Sequence, residues 1–257
     1  MEIKMSDEML SAVVPVIVYW VFSGIYELLG IYFVNHRLHP KGEENEKNAV
    51  SKLEVIKGVL TQQALQITIL YLVTKVRVDD EKRGVPKPQP SLPVIALQWF
   101  IGMIVVDTVQ YFGHRYLHAN KFLYKHVHST HHALVVPYVY GALYGHPLEG
   151  LFLDIIGSAL AFLFSGMTPR TSIYFFSFST IKGLDLHCAL YFPWNPLQAF
   201  FPNNCAFHYT HHQIKGHKYN YAQPFFISWD KILGTYKEFT VEKREGGGFR
   251  VSLAKNQ

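Results

Sequence analysis

Histidine dominates three short stretches of the chain: HRYLH (His114, His118), HSTHH (His128, His131, His132) and HYTHH (His208, His211, His212). Residues three or four apart share one face of a helix. HRYLH therefore presents two imidazoles side by side, and each HxxHH presents three. Neutral imidazole nitrogen ligates iron, zinc, copper and nickel. So many ligands exceed what one four-coordinate ion takes up, and two metal ions account for them. A solitary HxxxH at a helix end describes many solvated surface pairs. Two copies of HxxHH beside an HxxxH, on an apolar scaffold, do not fit that description.

The remaining histidines separate by context. His187, in GLDLHCALYF, sits in a largely apolar segment two residues after Asp185, and reads as a ligand with a carboxylate behind it. His146, in YGHPLEG, is equally compatible with a ligand and with a plain polar residue. His126 is out of step with the HxxHH face, and His36, His39 and His217 lie in charged loops and read as solvated. Asp107, Tyr111, His114 and His118 are spaced to align on one helical face. An acid inside an apolar block is costly and marks a functional position. Orienting a liganding imidazole would offset that cost.

Ligation by nitrogen alone suggests a non-haem di-iron centre rather than a hydrolytic zinc site, which needs only three protein ligands and an open position. The carboxylate-rich di-iron bundles use ExxH pairs, and the chain has no ExxH. The expected chemistry is activation of O2 to hydroxylate or dehydrogenate an unactivated C–H bond on a lipid chain. No GxGxxG fingerprint and no CxxCH haem site is present, so electrons must come from a separate carrier.

The elements that position these residues are apolar blocks. Only 17% of residues are charged, below the roughly 25% of soluble domains. Spanning a bilayer takes about 20 apolar residues. The blocks predict spans at roughly 11–34, 55–76 and 93–112, then 148–167 plus 171–192 across the Thr168-Pro169-Arg170 turn. The expected fold is all-α: about four transmembrane helices supporting a helical histidine cap over 114–146 and 187–236, one integral-membrane domain across 1–257. The acidic start, MEIKMSDEML, lacks a positive n-region, which predicts an uncleaved first span. Pro86, Pro88, Pro90 and Pro93 mark a stiff, non-helical connection. Cys188 and Cys205 read as two reduced thiols. The net charge of +5 suits an anionic membrane surface, and no basic stripe supports nucleic-acid binding.

The order HRYLH, HSTHH, YGHPLEG, NNCAFHYTHH and YNYAQPFFISWDKILGTY resembles the fatty acid hydroxylase superfamily over nearly the whole chain. Within it, VPYVYGALYGHPLEG and NNCAFHYTHH are most similar to the plant sphingoid base C4-hydroxylases. The resemblance implies conversion of sphinganine, free or within ceramide, to phytosphingosine by two irons and O2. It implies an endoplasmic reticulum membrane protein whose histidines face the cytosol, supplied by cytochrome b5 and its NADH-dependent reductase. The implied ligands are His114, His118, His128, His131, His132, His187, His208, His211 and His212, with His146 a tenth candidate. Leu186 and Tyr209 stand where the resemblance leads one to expect acidic residues. A cytosolic His114 makes the loop after Val76 lumenal, although Lys75, Arg77, Lys82, Arg83 and Lys87 there run against the positive-inside tendency. Desaturases and sterol oxidases share such boxes, and a metal transporter also collects histidines. A transporter would place polar residues inside several spans, whereas these histidines cluster at or beyond span ends.

Overall fold

The computed structural model describes residues 5–80 and 88–254. Five long helical segments set the frame: α1 (Asp7–Tyr32), α2 (Lys52–Asp80), α3 (Leu92–Ala119), α4 (Pro147–Ser165) and α5 (Pro169–His187). A short helix, α6 (Cys205–His212), carries the last histidine box. Pro86, Lys82, Arg83 and Lys87 lie outside the described residues, as do the first four and last three of the chain.

Helix starts follow the local sequence. Ser6 caps α1, whose first turn holds Asp7 and Glu8 against the positive helix terminus. Thr168 Oγ1 accepts from Thr171 N, and Pro169 opens α5. Asn204 accepts from both Ala206 N and Phe207 N at the start of α6.

Among the described residues, three helices are long and apolar enough to cross a membrane: α1, α3 and α4. Their outward faces expose Ile17, Val21, Leu28, Leu97, Phe100, Ile104, Phe152, Leu163 and Phe164, a surface suited to lipid. The expected second span falls within α2, a 29-residue helix that is too polar to join that set.

Packing brings the histidine-bearing ends together. α3 ends on the first histidine box, and α4 begins beside it and runs back. α3 and α4 approach closely because Gly113 leaves room for the Leu153 side chain. α5 then returns along α1, and both reach the same end, where Leu38 N donates to Ala189 O and Tyr191 N to His36 O.

The expectation of an all-α fold needs one correction. β1 (Phe239–Lys243) and β2 (Phe249–Leu253) form an antiparallel hairpin, with Val241 opposite Val251. Alternate residues Phe239, Val241, Phe249 and Val251 pack on the core that includes Cys205, Ala206 and Tyr209. A strand with one buried face reads this way.

Candidate metal centre

Three segments bring the boxes together. α3 places His114 and His118 one turn apart on its last turns. Asn120 ends α3 and caps the next turn, accepting from Phe122 N and Leu123 N. The chain then runs through a π-helical turn, Tyr124–His128, into Ser129–His132. That wider turn leads into the second box and ends on its first histidine, His128, a placement typical of functional sites. α6 supplies His208, His211 and His212, and the last residue of α5 is His187.

Nine imidazoles fall into two abutting groups. His114, His118, His128, His132 and His211 form one, and His131, His187, His208 and His212 the other. Within each group the ligand nitrogens all lie within 4.8 Å of one another. Each HxxHH box divides its histidines between the two groups, so the groups are bound into one unit.

The hydrogen bonds fix the tautomers. His114 Nδ1 donates to Tyr221 O at 2.8 Å, His131 Nδ1 to Tyr144 O at 2.7 Å, and His187 Nδ1 to Gly183 O at 2.9 Å. His211 Nδ1 donates to Tyr219 O at 2.7 Å and His212 Nδ1 to Leu134 O at 2.8 Å. A carbonyl only accepts, so these imidazoles hold their proton on Nδ1 and direct a lone pair from Nε2. His128 Nδ1 meets Glu149 Oε1 at 2.9 Å and is oriented the same way.

His114 Nε2 and His128 Nε2 then face each other at 3.1 Å with no proton between them. His211 Nε2 is buried without a partner, as is His208 Nδ1. Protonation does not relieve the crowding. Burial, and for most of them the neighbouring imidazoles, pushes His128, His131, His132, His208, His211 and His212 below the ordinary imidazole range. A cation does relieve it. Two nitrogens at right angles, each roughly 2.1 Å from one ion, lie about 3.0 Å apart. The donor set therefore fits two metal ions, and nitrogen donors of this kind suit iron.

His146 stands outside both groups. Its Nδ1 accepts from Leu148 N at 3.2 Å and caps α4. His39 is buried rather than solvated, stacked on Tyr209. The two carboxylates also differ from expectation. Asp107 accepts from Phe225 N at 3.0 Å and Phe226 N at 2.6 Å. It lies about two turns before His114 on α3 and reaches the Phe225–Phe226 backbone instead of an imidazole. Asp185 Oδ1 accepts from Tyr26, Asn195 and Gln198, and Oδ2 lies 3.5 Å from Lys182 Nζ. Two helix positions separate it from His187, a rotation of roughly 200°, so the two side chains leave opposite faces. Leu186 and Tyr209 are both buried, and Tyr209 packs at the edge of the apolar core against His39.

The structure adds supports that the spacing of histidines did not indicate. Glu149 holds His128. Asp230 accepts from Tyr221 N at 3.0 Å, Ala222 N at 2.8 Å and Thr235 Oγ1 at 2.7 Å. It thereby fixes the segment whose carbonyls orient His114 and His211. Both acids lie in segments quoted for their motifs, but neither stands at a helical interval from the histidine it serves.

Nine imidazoles that could hold metal ions gather at the ends of helices apolar enough to cross a membrane. The chain belongs to the fatty acid hydroxylase family, whose model matches residues 99–235, a stretch that contains all nine. It is 57% identical to the Arabidopsis thaliana protein named sphinganine C4-monooxygenase 2, over 98% of this chain and 96% of that one. It is 55% identical to sphinganine C4-monooxygenase 1 of the same plant, over 99% and 97% of the two chains. A rice protein (Oryza sativa subsp. indica) named very-long-chain aldehyde decarbonylase GL1-9 is 48% identical over 96% and 95%. No solved structure matches the chain.

Proposed function

We propose that the chain is a membrane monooxygenase that hydroxylates C4 of sphinganine to give phytosphingosine-type bases. The observation that carries this reading is the convergence of nine Nε2-directed or buried imidazoles into two adjoining groups, in a chain so similar to two plant C4-monooxygenases. The proposed ligands are His114, His118, His128, His132 and His211 for one iron, and His131, His187, His208 and His212 for the other. Two irons, when bound, supply reductive activation of O2 beside the alkyl chain.

The protein's own residues hold and shield that site. Backbone carbonyls of Leu134, Tyr144, Gly183, Tyr219 and Tyr221 lock the imidazoles in one tautomer. The burial of seven of the nine excludes bulk water. The apolar helices deliver the substrate's chain from the bilayer to the end where the histidines gather. In this reading α2 provides a fourth crossing, α4 and α5 form the returning hairpin, and the metal end faces the cytosol from the endoplasmic reticulum membrane. Cytochrome b5 and its NADH-dependent reductase supply the electrons there.

The test is expression in yeast cells that lack their own C4-hydroxylase, followed by long-chain base profiling. Appearance of 4-hydroxysphinganine is expected. Its absence from cells with abundant, iron-loaded protein would overturn the reading. The rice relative favours a second reading, conversion of a long-chain aldehyde to a hydrocarbon. Hydrocarbon formation from a supplied long-chain aldehyde, without hydroxylated base, would select it.

A further inference from the structure

Beside the metal centre, between α2, α3 and the start of α4, lies a cavity lined by Gln62, Gln110, Tyr144, His146, Glu149 and Asp154. It offers 60 Å³, room for about four water-sized groups. The lining is strongly polar although it lies among helices with lipid-facing surfaces. Gln62 is 4% exposed, and neither its Oε1 nor its Nε2 has a partner. Glu149 Oε2 is likewise buried and unpaired. A Cβ on Gly150 would collide with the Gln62 amide, so glycine keeps that amide in place. Gln110 Nε2 donates to Asp154 Oδ1 at 3.1 Å and steadies the second carboxylate.

Buried polar groups are normally satisfied, so this set lacks its complement. Its complement carries a donor for Glu149 Oε2 and both a donor and an acceptor for the Gln62 amide, with Asp154 beside them in the lining. One edge of the cavity is the metal centre itself, because His131 lines it and the other oxygen of Glu149 accepts from His128. A molecule seated there meets His131 of one group directly and His128 of the other through Glu149.

We propose that this cavity is the head-group subsite for the long-chain base, its protonated amine facing Glu149 and Asp154 and its hydroxyls bonded to the Gln62 amide. The proposal rests on the C4-hydroxylase reading. In sphinganine the carbon to be hydroxylated adjoins the hydroxyl-bearing C3, and the amine stands on C2. A head anchored in this cavity therefore presents C4 to the metals. The two carboxylates also choose between substrates. N-acylation removes the positive charge and adds bulk at the amine, so the site takes the free base in preference to ceramide.

The test uses the full-length, iron-loaded protein in lipid nanodiscs, with wild type, Asp154→Asn and Gln62→Leu side by side. Equilibrium binding of radiolabelled sphinganine and of N-acetylsphinganine is measured with KM and kcat for each. Wild type should bind sphinganine more tightly than the acetylated form. Asp154→Asn should lose about tenfold in sphinganine affinity, the loss of one charge-assisted contact, raise KM with kcat nearly kept, and narrow the preference for the free base. Gln62→Leu, which changes no charge, should weaken both ligands. Both variants should keep wild-type iron content. Unchanged affinity in both variants overturns the subsite, as does a wild-type preference for the acetylated base. A fall in kcat alone would identify the cavity as a proton route and also overturn it. Wild type that binds sphinganine in this way but makes no 4-hydroxysphinganine sinks the C4 reading and leaves the subsite standing. Product formation with variants that bind normally does the reverse.

Discussion

Asp230 offers the sharpest test of how the metal centre is held, because it touches no histidine. It is fully buried in the short helix Ser228–Ile232, and its carboxylate accepts from two backbone amides and one hydroxyl. Tyr221, one of those amides, uses its own carbonyl to orient His114. Asp230→Ala leaves the Tyr221 and Ala222 N–H groups buried without an acceptor. Each orphaned donor costs about 1–3 kcal/mol, so the substitution should destabilise the fold by roughly 2–6 kcal/mol, against a whole-domain stability of about 5–15 kcal/mol. A loosened Tyr221 carbonyl should also weaken metal binding, by about 10–100-fold for a lost supporting contact. Asp230→Asn keeps one acceptor oxygen and should fall between. The assay is iron stoichiometry by mass spectrometry during chelator competition, with thermal unfolding of the same samples. If Asp230→Ala retained both irons with wild-type chelator resistance and an unchanged midpoint, the loop would not be what positions His114.

Four further outcomes follow from the site. His131→Ala and His211→Ala each remove a ligand from a different group, so each should abolish hydroxylation while the protein still inserts; wild-type turnover in either would sink the ligand assignment. His217 belongs to neither group, and His217→Ala should keep both irons and near-normal activity, as metal analysis and product profiling would reveal. Asp185→Ala breaks a buried pair with Lys182 and should cost about 3–5 kcal/mol, whereas Asp185→Asn should destabilise less and retain iron; loss of iron without loss of stability would return Asp185 to the role of orienting His187. Protonation of the buried histidines favours the unfolded chain, because their folded values lie below the ordinary one of about 6.5. Stability and metal retention should therefore be full above about pH 6.5 and decline as the pH falls below it; metal-free protein with a midpoint constant from pH 7.5 to 5 would contradict this.

The histidine clusters were legible in the sequence because their spacing is local. HRYLH, HSTHH and HYTHH state their own helical faces, and the structure brings the histidines of all three together with His187. What spacing cannot show is how the two groups divide, since each HxxHH box contributes to both. The expected role of Asp107 failed for a related reason. Alignment on a helical face says which direction a side chain leaves, but not what meets it, and Asp107 meets the backbone of Phe225 and Phe226, 118 and 119 residues away. Asp185 is near His187 in sequence but not in space, because a two-residue step turns a helix nearly half round. The hairpin, absent from an all-α expectation, has its own local pattern. FTVEK and FRVSL alternate apolar and polar residues, and Gly246, Gly247 and Gly248 between them all adopt positive φ, a conformation that costs glycine little.

The polarity of the helices explains why one end of the molecule holds everything. α3 delivers its histidines at its C-terminus and α5 delivers His187 at its own, while α4 starts beside them with Glu149. Helices that alternate in direction gather ends in this way, and the connection between α3 and α4 carries the second histidine box across that same end. The apolar block preceding HRYLH is thus the delivery route as well as the anchor. A site built deeper along α3 would surround its imidazoles with lipid and lose the carbonyls of the Tyr219–Ala222 loop. One built farther out would lose the bilayer path for an alkyl chain. Asp107, pinned to the loop from within α3, ties those two requirements together. Asp107→Asn, which keeps one acceptor for two amides, should therefore disturb both iron retention and sphinganine KM. A change in neither would show that loop and span are positioned independently.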